Sequence, residues 1–335
     1  MSRLPRARGP IGEQLIRELR GDPHPIASPP VESRDALADE DLQLSLYVAY
    51  ELHYRGFDGV DPEWEWEPTL IALRHQLERR FEGALHDALG PPRTAAVRPD
   101  EMDLALREIA DSDDGRSLSS YLEREASLDE IREFMVHRSA YQLKEADPHT
   151  WAIPRLSGPP KAAIVEVQAD EYGGGRAERI HSRLFADSME AVGLDPAYGA
   201  YLDVIPGVTL ATVNLMSMFG FHRRWLGAIV GHLALFEMTS SVPNRRYGDG
   251  LRRLRHSGRA TAFFDEHVLA DAVHENIAAV DLAGGLARQR PELAGDILWG
   301  ARALVLLDRL WATHLLDAWA AGRSSLLPEA AAAAA

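Results

Sequence analysis

The chain has 335 residues, 51 acidic and 36 basic, a net charge of −15 and no cysteine. A negative surface repels phosphate backbones and anionic bilayers, so neither nucleic acid nor membrane is an expected partner. Without thiols there are no disulfides, iron–sulfur clusters or cysteine nucleophiles, and any metal has to be held by His and carboxylates.

Residues 1–34 are rich in Pro, Gly and Arg and read as a flexible arm with a short helix at 11–19. They contain no apolar stretch of the signal-peptide kind. No run of about 18 apolar residues follows, so a cytoplasmic chain without a membrane span is expected. Residues 35–115 read as an N-terminal helical extension. Asp39-Glu40-Asp41 opens a helix through Leu42, Leu44, Tyr47, Val48 and Leu52, and Gly56, Gly59 and Pro62 break it. A second helix covers 68–89, with Leu70, Leu73, Leu77, Phe81 and Leu85 on one face, and Gly90-Pro91-Pro92 ends it.

Residues 116–325 form the main helical domain. Ser127-Leu128-Asp129-Glu130 has capping-box spacing and starts a helix through Phe134, Arg138, Tyr141 and Glu145, stopped by Pro148. Gly158-Pro159-Pro160 leads into a helix ending at Glu171, with a Pro suited to a first turn. Gly173-Gly174-Gly175 interrupts the pattern before a helix from Arg176 to Ala191. Three glycines inside a helix would cost roughly 1 kcal/mol each, so either a plain loop or a bulge beside a ligand is implied. Further helices cover about 206–220, 222–241, 260–284 and 291–321, and residues 326–335 read as a disordered tail. No alternating strand pattern occurs, so the fold class is all-α.

The chemistry concentrates in residues 267–274. His267, Asp271 and His274 fall at i, i+4 and i+7, within an arc of about 60° on one helix face. Two imidazoles flanking a carboxylate suit Fe, Mn or Zn, although the same face also suits a buried His pair satisfied by hydrogen bonds. Partners exist on other helices. Glu237 lies in an apolar run, where a carboxylate is costly unless paired or metal-bound. Glu171 and His181 flank the glycines. Glu178 competes with Glu171, because Glu178-x-x-His181 is the i, i+3 pair of carboxylate-bridged di-iron bundles. Glu145 shares a face with Phe134, Arg138 and Tyr141. Four carboxylates would balance the charge of two ferrous ions, which makes a buried dimetal site feasible.

Three segments then carry a resemblance. They are Glu166-Val167-Gln168-Ala169-Asp170-Glu171-Tyr172-Gly173-Gly174-Gly175-Arg176 with His181-Ser182-Arg183-Leu184-Phe185; Leu235-Phe236-Glu237-Met238-Thr239-Ser240 with Pro243-Asn244-Arg245-Arg246-Tyr247; and the His267/Asp271/His274 triplet. Over about residues 125–320 the chain resembles the haem-oxygenase-like di-iron oxidases and oxygenases, also called iron-containing redox enzymes. The resemblance implies a seven-helix haem-oxygenase-like bundle. It would bind two Fe ions, cycling between Fe2+ and Fe3+, and no haem. The implied ligands are Glu145, Glu171, His181, Glu237, His267, Asp271 and His274, with Glu171 favoured over Glu178. The N-terminal 115 residues are then an accessory helical layer or a homodimer surface.

The activity implied is O2-dependent oxidation of a small amine- or carboxylate-bearing, amino-acid-like substrate, by N-oxygenation or oxidative C–C cleavage. Arg138, Arg246 and Tyr247 are candidates to grip a substrate carboxylate, and Tyr141 and Tyr172 to donate to metal ligands. Two other readings make different predictions. A metal-free enzyme of the same fold would use Glu and His as acid and base. A non-catalytic helical interaction protein would leave these side chains exposed or singly hydrogen-bonded.

Overall fold

The computed structural model describes residues 2–94 and 97–328, and of residues 269–273 the backbone only. The Asp271 side chain and the tail from 329 onward therefore lie outside the described residues. In chain order the helices are α1 Pro10–Glu18, α2 Glu40–Glu51, α3 Pro68–Leu89, α4 Met102–Asp111, α5 Leu118–Arg124 and α6 Leu128–Gln142. Then come α7 Asp147–Thr150, α8 Gly158–Glu171, α9 His181–Ala191, α10 Gly207–Phe221, α11 Leu226–Arg253 and α12 Ala262–Asn276. The chain closes with a π-helical turn Ile277–Gly284, α13 Gly285–Gln289 and α14 Ala294–Ala320. Among the described residues there is no β-strand, and the fold is all-α.

The starts of several helices follow from side chains placed to accept orphan backbone N–H groups. Asp39 caps α2 through Leu42 N–H, Glu67 caps α3 through Leu70 N–H, and Ser127 with Glu130 forms a reciprocal capping box on α6. Helix α6 stops at Gln142, earlier than the periodicity suggests. Pro148 has no N–H for the Lys144 carbonyl, and Ala146 turns left-handed at φ 73°. Glu145 consequently sits in a tight turn.

The centre of the molecule is the crossing of α11 with α14. A Cβ on Gly231 would collide with the Ile297 carbonyl, and one on Gly300 with the Ala228 carbonyl, so these backbones approach as only glycine permits. The stretch Arg223–Arg253 is long and apolar enough by composition to cross a bilayer, yet 72% of its apolar window is buried inside the protein. Its apolar character is used in the core.

Residues 2–34 differ from the expected flexible arm. Ile11, Leu15 and Leu19 belong to the main core, each at most 3% exposed. Asp41 of α2 accepts the N–H groups of Ile11 and Gly12 at 2.8 and 2.7 Å, capping α1 from a neighbouring helix. A composition rich in Pro and Arg hid a short apolar face with i, i+4 spacing. The same core continues through Leu73, Leu77 and Phe81 of α3 to Leu304 and Leu307 of α14, so it crosses both residue 34 and residue 115 without a break.

Candidate metal centre

Five segments meet at one place. Glu171 is the last residue of α8 and His181 the first of α9. The linker between them includes Gly173, Gly174 and Gly175, at φ 69°, 59° and 79°, a conformation that side-chain-bearing residues rarely adopt. At Gly173 the backbone of Arg179 and Ile180 lies where a Cβ would be, so the linker folds tightly on itself. The glycines thus form a loop between two helices. The loop brings the Glu171 Oε2 within 2.8 Å of the His181 Nδ1. Helix α12 adds His267 and His274, α11 adds Glu237, and the turn after α6 adds Glu145.

Donor atoms of Glu145, Glu171, His181 and His267 all lie within 4.8 Å of one another, and so do those of Glu171, Glu237 and His274. Glu171 belongs to both sets. All six residues are buried, none more than 6% exposed. Glu178 is exposed on the linker, away from the cluster. Among the described residues, Glu145 Oε2, Glu171 Oε2, His181 Nδ1 and His274 Nδ1 have no well-formed hydrogen bond. Buried polar atoms left in this way are costly, and a cation held by each donor set would satisfy them. Carboxylate oxygens with imidazole nitrogens form a donor set that fits iron.

Partners outside the cluster orient two of the imidazoles. The His267 Nδ1–H donates to the Phe263 carbonyl at 2.9 Å, which leaves Nε2 as the lone-pair nitrogen, 3.6 Å from Glu145. The His274 Nε2–H donates to Asp170 at 3.0 Å and Nδ1 lies 3.4 Å from Glu237. Burial pulls the His274 imidazole down, but the adjacent Glu237, Asp170 and Glu171 carboxylates outweigh it and raise its pKa to about 9. Burial likewise pushes the Glu171 carboxyl up, and the imidazoles of His181, His267 and His274 bring it below its usual range. The protein alone therefore holds a proton where excess negative charge calls for a cation.

Tyr141, His149 and Gln168 line a void of about 10 Å³ inside the cluster, room for one water or ion. Burial, then the charges of Glu145, Glu171 and Glu237, keep the Tyr141 phenol protonated. Tyr172 is placed elsewhere than expected. Its hydroxyl donates to Asp147 at 2.9 Å and meets Thr150 at 3.0 Å rather than any donor of the cluster. Arg246 lines a larger cavity of 380 Å³ that opens beside Glu145 and His267. There it donates to Ser119 at 3.1 Å.

The profile of a family described as iron-containing redox enzyme matches residues 132–309, over half of the chain. The chain belongs to the iron-containing redox enzyme family. Nitrosourea synthase of Streptomyces achromogenes subsp. streptozoticus is 30% identical over 138 residues, which cover 41% of this chain and 29% of that protein. The chain thus matches under a third of the length of that relative. Every described donor of the cluster lies inside the family match, from the turn after α6 to α12.

Some site residues of this family member had only a weak signal in the sequence. Asp170 precedes Glu171 but is largely exposed, and an exposed carboxylate reads as surface. His149 and His232 form a buried pair, 3.1 Å apart, of which His149 also lines the void. Burial drops the His149 imidazole to about 4, with Glu171 partly opposing it. A His in the four-residue helix α7 carries no periodicity to mark it.

Proposed function

We propose that this chain is a non-haem di-iron enzyme, without haem, that uses O2 to oxidise a small amine- or carboxylate-bearing, amino-acid-like substrate. The observation that carries this reading is Glu171, whose carboxylate is common to two overlapping buried donor sets. One carboxylate with two oxygens can serve both positions. Glu145, His181 and His267 complete one of them, and Glu237 and His274 the other. Asp271, between the two His residues on α12, is the expected seventh ligand. These residues would hold the iron, which would supply the redox chemistry toward O2.

The residues of the chain do the rest. Phe263 and Asp170 hold two imidazoles with one nitrogen turned inward. Buried walls exclude bulk water, which strengthens every charge interaction inside. Tyr141 keeps a phenolic proton beside three carboxylates. Between the two outcomes, N-oxygenation is favoured over C–C cleavage. The name of the relative refers to a nitrosourea, whose nitroso group carries an oxidised nitrogen. The buried donors also speak against a non-catalytic interaction protein, which would expose them.

Iron-free protein given Fe(II) without O2 should retain about two ions per chain after gel filtration, and His274→Ala about one. Glu171→Ala should disturb both positions. A folded sample that retains no iron would overturn the proposal. O2 consumption that survives chelation unchanged would point instead to the metal-free enzyme of the same fold.

A further inference from the structure

The 380 Å³ cavity shares Glu145 and His267 with the cluster, so a molecule inside it touches the site. Its size is that of a small-ligand chamber. The charged groups of its wall sort cleanly by partner. Arg116 pairs with Asp317 at 2.6 Å, Arg309 with Asp114 at 3.5 Å, and Arg246 with Ser119 at 3.1 Å and Glu123 at 3.9 Å. Asp113 accepts the Gly115 N–H at 3.0 Å. Glu145 belongs to the cluster. Two charges remain, Arg138 and Asp308, and among the described residues neither has an ion-pair partner within 4.0 Å.

Arg138 is held by its faces. Its guanidinium centre lies 5.4 Å from the Trp311 ring centroid and 5.9 Å from that of Phe236. The side-chain oxygen within reach is that of the neutral Gln142 amide, at 3.2 Å once that amide is turned to satisfy both ends. A guanidinium stacked in this way keeps N–H edges for a planar carboxylate. Asp308 enters from α14, one turn before Trp311. Burial raises its carboxyl to about 6, with Arg138 lowering and Asp113 raising it. A carboxylate so placed gains from an arriving cation. The Tyr247 phenol lies in the field of Arg138, Asp308 and Arg246 and is also part of the wall.

We infer that this chamber selects a substrate carrying both charges at once, its carboxylate on Arg138 and its ammonium or guanidinium on Asp308. The inference rests on the reading of the cluster as the reactive site, and it assigns each charge of an amino-acid-like substrate to one residue of the chamber wall. Arg138 and Asp308 are its specificity-determining residues. Arg246, already tied to α5, is not the main anion anchor.

The test uses iron-free full-length protein, so that it does not depend on the metal reading. Calorimetry with the proteinogenic amino acids identifies the tightest binder. Its decarboxylated amine and its deaminated acid then serve as single-charge probes. Each should bind about tenfold or more weakly than the amino acid. Asp308→Asn should lose about tenfold or more for the amino acid and leave the deaminated acid unchanged; Arg138→Gln should do the same and leave the amine unchanged. A merely structural role would weaken all three probes together. No binding by any amino acid, or wild-type binding by Asp308→Asn, overturns the inference. Fe(II) uptake is measured in parallel on a separate sample. Loss of iron binding in the wild type with amino-acid binding intact would fault the cluster reading alone.

Discussion

His274 presents Nδ1 to Glu237 only while its other nitrogen is occupied. Asp170 occupies it from the surface, and its position next to Glu171 means that α8 supplies both a donor and an orienting group. Asp170→Asn keeps the shape and can still accept from Nε2–H, but it removes the charge that favours this tautomer. Iron affinity at the His274 position should fall by about 10- to 100-fold with the fold intact. Competition against a coloured chelator measures it, and an unchanged affinity would show that Asp170 is only a surface carboxylate. Among residues, the His267 and His274 face, Glu237, and the pair Glu171 and His181 could be read from spacing and from carboxylates in apolar runs. The direction of each imidazole could not, because it depends on a backbone carbonyl and on an exposed Asp that periodicity does not mark. Tyr172 shows the same limit. Adjacency to Glu171 says nothing about which side its hydroxyl takes, and Asp147 and Thr150 decide that.

At the scale of elements, the irregular pieces position the donors. Three left-handed glycines let α8 end on Glu171 and α9 begin on His181 a few ångströms away. Gly173 and Gly174 differ in a testable way. Both need positive φ, but a Cβ on Gly173 meets the backbone of Arg179 and Ile180, whereas one on Gly174 meets open space. Gly174→Ala should cost about 1 kcal/mol and keep iron bound. Gly173→Ala adds a clash that pushes Ile180 and hence His181 outward, so it should lose iron at that position and about 1–3 kcal/mol of stability. Urea unfolding together with iron counting separates the two, and equal behaviour would remove the linker from the account of the site. Helix boundaries set by Pro and capping residues were readable in the sequence. The early end of α6 was not, since Ala146 adopts a conformation that its residue type does not announce.

For the whole molecule, the question is whether the first hundred residues are a separable addition. The main core runs from Leu15 and Leu19 through Phe81 to Leu307, and the backbone crossing at Gly231 and Gly300 fixes α11 and α14 within it. Helix α11 carries Glu237, and α14 carries Asp308 and Trp311, so disorder in this core would reach the donor cluster and the chamber together. A flexible arm would make Leu15→Ala silent. In a shared core the change leaves a cavity and should cost about 2–5 kcal/mol. Unfolding of the iron-free protein should remain a single transition with a lower midpoint. A second, earlier transition confined to the N-terminal helices would instead make them a separate cooperative unit. The single transition is the expected result, because the α1 N-terminus is capped by Asp41 of α2. Leu42 and Leu46 of α2 in turn belong to the same core as Leu210 and Leu215 of α10.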